Sequence, residues 1–293
     1  MSGPGVPALP FRLGYNTNGL PFHRLPEALE LVAGAGFHAV AITPDVGALD
    51  PFRLSRQDVV ETASRLSDLG LRCAIEAGAR FVLDPERKHR PNLLDGSDQG
   101  RERRIDFYRR CIDLAADLGA GVMSLWAGAA PEGMAMTLDG DPASPLGERL
   151  AAGLATVVEH ARAAGVRVGF EPEPGMFVER PAGFETLLRV MGSSGDDLGL
   201  TLDVGHCVVT GDLPVSDVAR RFQDRLIHVH LADCPPGVHE HLPLGHGGLD
   251  LRDALDGLCA IGFDGIAAVE LSRDGHRGPD AVRESWATIQ ACR

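Results

Sequence analysis

Short apolar runs alternate with amphipathic stretches along the chain. The strand-like runs are FRLGYN, HAVAITP, LRCAIEAG, GVMSLWAG, VRVGFEPEP, LGLTLDVG, LIHVHLAD and GIAAVEL. Between them the pattern predicts helices at Leu25–Ala35, Ser55–Leu69, Arg101–Leu118, Gly147–Ala164, Ala182–Met191, Ser216–Arg221, Leu251–Ile261 and Pro279–Gln290. The boundaries agree: AGAGFHAV, LGLRCAI, LGAGVMSL, AAGVRVGF and IGFDGIAAV each place glycine just after a helix and before a strand. Eight strands alternating with eight helices in 293 residues predict an α/β fold, a (β/α)₈ TIM barrel. An open doubly wound sheet would carry a glycine-rich phosphate turn after its first strand, and YNTNGLPFHR is no such turn. No linker or low-complexity segment interrupts the alternation, so residues 1–293 read as one domain. Two long loops, Arg80–Gly100 after strand 3 and Ala129–Pro145 after strand 4, would overhang the C-terminal mouth.

Composition narrows the classes of partner. A net charge of −13 argues against a nucleic-acid surface, although one basic cluster, Arg87-Lys88-His89-Arg90, could attract a small anion. The opening MSGPGVPALP lacks a secretory pattern, and no apolar run is long enough to span a membrane. Six cysteines spread singly, without a CxxC pair, suit a reducing compartment, so the cytoplasm is expected.

Four potential metal ligands stand near strand ends: Glu171, Asp203, His230 and Glu270, at spacings of 32, 27 and 40 residues. A βα unit takes about 30 residues, so these would be the ends of four consecutive strands around one mouth. Three carboxylates and one imidazole make a mostly oxygen site for one divalent ion, Mn²⁺ first, with Mg²⁺, Co²⁺ or Zn²⁺ as alternatives. Six of the eleven histidines fall between His206 and His246. Alternation along a strand points His228 and His230 the same way, with His230 reaching the ion and His228 in the layer beneath. Asp203 reads as a ligand on the turn leaving strand 6, and His206 as a contact of substrate or metal. Glu171 and Glu270, from strands 5 and 8, would flank the ion and could remove a proton from one face of a chelated carbonyl–hydroxyl substrate and return one to the other. Glu76 and Arg80 after strand 3, Trp126 after strand 4, and Asn16 and Asn18 after strand 1 would line the other half of the mouth. Glu173 reads as a rim carboxylate, and Cys207 as packing.

GFEPEPG, LTLDVGH, HVHLAD, PLGHGGLD and AAVEL together resemble the xylose isomerase-like, sugar phosphate isomerase/epimerase superfamily, over essentially the whole barrel. The resemblance to its ketose 3-epimerases implies Glu171, Asp203, His230 and Glu270 on one divalent metal, with the two glutamates as acid and base. It implies His206 and His241 as substrate contacts. Gly245-His246-Gly247 departs from the family's usual Gly-Glu-Gly or Gly-Lys-Gly. The superfamily's AP endonucleases share D203xxH206, His230 and the His239/His241 pair, but need further histidines that ITPD, IEAGAR and SLWAG do not supply. The expectation is a metal-dependent isomerase or epimerase of a small sugar, keto-sugar or cyclitol, working through a metal-stabilised enediolate. An inosose-type dehydratase is the alternative; a non-catalytic barrel or a nuclease ranks below. Partners are then a sugar-like small molecule, no nucleic acid and no membrane; self-association into a homo-oligomer stays open.

Overall fold

The computed structural model describes residues 9–134, 137–138, 140–141 and 143–293. In it eight parallel strands close a barrel in chain order. They are β1 (Arg12–Asn16), β2 (Ala39–Ile42), β3 (Arg72–Glu76), β4 (Val122–Leu125), β5 (Arg167–Phe170), β6 (Leu198–Asp203), β7 (Leu226–Leu231) and β8 (Ile266–Val269). The last strand pairs with the first, from Arg12 opposite Ile266 to Tyr15 opposite Val269. A parallel sheet must be covered on both faces, and β6 and β7 are accordingly buried along their whole length.

Nine α-helices accompany the strands among the described residues: α1 (Leu25–Ala35), α2 (Arg56–Asp68), α3 (Asp98–Leu118), α4 (Pro145–Ala164), α5 (Pro181–Met191), α6 (Val204–Thr210), α7 (Val215–Arg221), α8 (Leu251–Ala260) and α9 (Gly278–Cys292). Ser55, Ser97, Ser144 and Asp250 cap their helices by accepting a backbone N–H in the first turn, which moves several starts a few residues from the periodicity-based ones. Helix α6 lies where the sequence predicts only a turn. Its seven residues span too few periods to register as a pattern, and capping by Asp203 defines it instead: Asp203 Oδ1 accepts from Gly205 N at 2.7 Å and His206 N at 3.0 Å.

Below the mouth the interior is tightly fitted. Ser124 donates to Thr201 Oγ1 at 2.9 Å, and a Cβ on Gly169 would lie 2.3 Å from that same oxygen, so only glycine leaves room for the pair. No helix among the described residues is long and apolar enough to cross a membrane. Residues 1–8, on which the expectation of no secretory leader rests, lie outside the described residues, as do 135, 136, 139 and 142 of the loop after β4.

Candidate active site

The sequence-predicted ligands meet at the C-terminal rim. Asp203 ends β6, His230 is the penultimate residue of β7, and Glu171 and Glu270 directly follow β5 and β8. Pairing of β6 with β7 sets Asp203 opposite His230, and pairing of β7 with β8 sets His230 opposite Ala268. His230 Nδ1 lies 3.0 Å from Glu171 Oε1, 3.1 Å from Glu270 Oε2 and 4.0 Å from Asp203 Oδ2. One ligand atom from each of the four residues lies within 4.8 Å of every other. Metal–oxygen bonds of about 2.1 Å place neighbouring ligands roughly 3–4 Å apart, so the set fits a divalent ion after small adjustments. Asp203 Oδ2 is buried with no hydrogen-bond partner, as a ligand oxygen awaiting a cation would be.

Charges are strongly coupled here. Burial, with the nearby negative charge of Glu270 and Asp203 outweighing the pull of His230, raises the Glu171 carboxyl to about 8. Burial opposes ionisation of Glu270 too, but His230, supported by His241 and His206, holds it far below the usual carboxylate range. Burial disfavours a charged His230, yet Glu76, Glu171 and Glu270 together hold it well above the ordinary histidine value. The two glutamates on this ring are thus driven apart in acidity. Burial also lifts Glu173, whose Oε2 has no hydrogen-bond partner.

Glu76, the last residue of β3, reaches the same imidazole from across the barrel. Its Oε1 lies 3.1 Å from His230 Nε2 and 2.9 Å from His228 Nε2, the latter too far off line for a hydrogen bond. Burial works against its charge, but His230 and His228 pull its carboxyl down to about 2.

A second set converges beside the first. His206 Nε2 is 3.0 Å from His239 Nε2 and 3.3 Å from His241 Nε2, and both His206 and His241 lie 3.8 Å from Asp203 Oδ2. Pro172 O is 3.2 Å from His206 Nδ1 and can take its proton, leaving the Nε2 lone pair on the cavity side. Burial, helped by the neighbouring imidazoles, lowers His206 to about 4 and lowers His239, so these rings favour the neutral form and could themselves hold a cation. In the sequence His239 stands out through the H-x-H pair it forms with His241, and the structure brings that pair onto His206.

Apart from Asp203 and His228, these side chains line a cavity of about 280 Å³, which also touches Trp126, Arg80, Lys88 and Arg273. Arg80 is tied down by Asp45, its Nε donating to Asp45 Oδ2 at 2.5 Å. Of the basic cluster, Arg87 turns away to Asp84, whereas Lys88 faces the cavity and His89 packs edge-on against Trp126. Buried Arg104 fastens that loop, donating to the carbonyls of Pro91 and His89 at 2.7 Å each. Its signal in the sequence is a charged residue on the same face of α3 as buried Phe107, Tyr108 and Cys111. Asn16, the last residue of β1, is used internally, accepting from Thr43, whereas Asn18 in the turn that follows donates to Glu270 Oε1 at 2.6 Å. His246 is exposed and does not line the cavity; its loop is folded around Asp233, which accepts from Gly245, Gly247 and Leu249.

Fold and site together define a (β/α)₈ barrel with a carboxylate–imidazole cluster at its C-terminal mouth. The chain belongs to the xylose isomerase-like TIM barrel family, whose model matches residues 29–292. It is 26% identical over 199 residues to an uncharacterized protein of Methanocaldococcus jannaschii, an alignment covering 66% of each chain. It is 27% identical over 144 residues to the inosose dehydratase of Lacticaseibacillus casei, covering 43% of this chain and 47% of that one. These matches therefore span less than two thirds of either relative. The crystal structure of a D-tagatose 3-epimerase-like protein superposes with a TM-score of 0.73 at 22% identity, covering 96% of this chain and 99% of that one, a likeness of fold.

Proposed function

We propose that this chain is an isomerase or epimerase of a small sugar, keto-sugar or cyclitol that moves a proton at a carbon next to a carbonyl. The observation that carries the reading is the convergence of Glu171 and Glu270, from β5 and β8, on one nitrogen of His230. Glu171, Asp203, His230 and Glu270 would hold one divalent ion, manganese first. Such an ion supplies the electrophile that polarises a chelated carbonyl and balances developing oxygen charge. One glutamate takes the proton from carbon and the other returns it to the opposite face, through an enediolate. Asn18 orients Glu270 by its 2.6 Å hydrogen bond. His206 and His241 would bind substrate hydroxyls, with Trp126 as an apolar wall and Arg80 at the edge. The cavity of about 280 Å³ suits a single sugar ring or its open chain. The 3-epimerase-like structural neighbour agrees with this class.

Elimination of water is the second reading, supported by the inosose dehydratase relative. The test is solvent deuterium exchange with Mn²⁺-loaded protein across a panel of ketoses and inososes, followed by NMR and mass spectrometry. Incorporation at carbon without loss of mass as water supports the epimerase; a product lighter by one water selects the dehydratase. Glu171→Gln and Glu270→Gln should each cut turnover by about 10²–10⁴-fold or more while largely keeping the thermal transition of the metal-free protein. Substantial activity in either variant would sink the two-carboxylate mechanism.

A further inference from the structure

We infer that Glu76 is a positioning residue: by accepting the Nε2–H of His230 it aims that ring's Nδ1 lone pair at the carboxylates of Glu171, Asp203 and Glu270. This rests on the metal reading above and assigns Glu76 a place behind the ligand, where the sequence suggested a substrate contact.

A neutral imidazole carries one N–H, and the nitrogen that carries it cannot bind a cation. His230 Nδ1 faces the three carboxylates, so ligation has to use Nδ1, and the remaining proton must sit on Nε2. Nε2 faces Glu76 Oε1 at 3.1 Å. A carboxylate can only accept, so the reverse tautomer would set two lone pairs against each other at that distance. β3 and β7 lie opposite each other in the closed ring, and Glu76 reaches His230 across the interior rather than along the rim. It is 7% exposed, and a buried carboxylate is retained at a cost unless its partners need it. His228, fully buried one step below on the same strand face, packs with its Nε2 2.9 Å from the same oxygen. A carboxylate behind a ligating histidine fixes tautomer and ring plane and raises ligand basicity, an effect worth roughly 10–100-fold in metal affinity.

The test compares wild type, Glu76→Gln and Glu76→Ala for Co²⁺ and Mn²⁺ affinity by calorimetry. Long-range ¹H–¹⁵N NMR of the Zn²⁺-loaded proteins reads which His230 nitrogen keeps its proton. Wild type should show Nε2–H with Nδ1 ligated. Glu76→Ala should bind Co²⁺ about 10–100-fold more weakly. Glu76→Gln, whose side-chain oxygen still accepts from Nε2, should recover most of that loss. Wild-type His230 ligating through Nε2, or Glu76→Ala binding Co²⁺ as tightly as wild type, overturns the inference; the wild-type spectrum decides even if the alanine variant fails to fold. Wild type that takes up none of these ions overturns the metal reading itself, a different result.

Discussion

His89 sits where burial and cationic neighbours act together. Its environment is low in water and Lys88, Arg104 and Arg80 stand nearby, while the carbonyl of Gly78, 2.9 Å from Nδ1, favours the protonated form. The imidazole is therefore pushed down to about 4. The unfolded chain takes up this proton below about 6.5 and the folded protein does not, so this contribution to stability is whole above pH 6.5 and lost as pH falls toward 4. We expect a slope near 1 kcal/mol per pH unit across that window. His89→Phe keeps an aromatic edge against Trp126 and removes the proton, so its urea stability should depend less on pH between 6.5 and 4 than that of wild type. Parallel curves would show that His89 is not the group responsible. At this scale the sequence shows which residues cluster better than it shows which atoms touch. Glu171, Asp203, His230 and Glu270 could be grouped from the sequence because each lies within a residue or so of the C-terminal end of an apolar run. The contact of Glu76 with His230 was not, because it joins strands 154 positions apart across the interior, and spacing along the chain carries no information about that.

Helix α6 shows one side chain serving an element and a site at once. Asp203 Oδ1 caps the helix, while Oδ2 faces the cluster without a hydrogen-bond partner. The two oxygens can be separated experimentally. Asp203→Asn keeps an acceptor for the cap and removes a buried charge, so the metal-free variant should be at least as stable as wild type, yet bind Co²⁺ at least tenfold more weakly. Asp203→Ala loses the cap too and should fall about 1 kcal/mol below the asparagine variant. Urea titration of the metal-free proteins reads the first effect and calorimetry the second; equal stability of the two variants would remove the capping role. The longer helices could be read from periodicity because they expose one face and bury another over several turns. A seven-residue helix nearly covered by the barrel has no such contrast, and its cap aspartate was read only as a ligand. The loop around Gly245-His246-Gly247 was equally unreadable. Its shape is set by Asp233, and a Cβ at Gly247 would approach that carboxylate to 2.3 Å.

For the molecule as a whole, the eightfold alternation was enough to predict the barrel, since a parallel sheet covered by helices leaves few other closures at this length. The conformation of the mouth depended on side chains such as Arg104 and Asp45, whose partners lie in other loops and cannot be read from the chain order. On the proposed reading, four ligands from β5 to β8 draw half the barrel toward one ion. An ion bound only by the folded chain stabilises it by about 2.7 kcal/mol at a hundred times its dissociation constant. Wild type in Mn²⁺ should therefore melt several degrees above the same protein in EDTA, and the gain should vanish in Asp203→Asn; no difference in wild type would count against a resident ion. The seam between β8 and β1 carries a further consequence. Glu270 and its partner Asn18 lie on either side of it, joined only when the last strand docks on the first. A chain emerging from the ribosome holds Glu76, Glu171, Asp203 and His230 long before Glu270. Premature products of translation that end short of β8 would then be silent toward substrate rather than partly active.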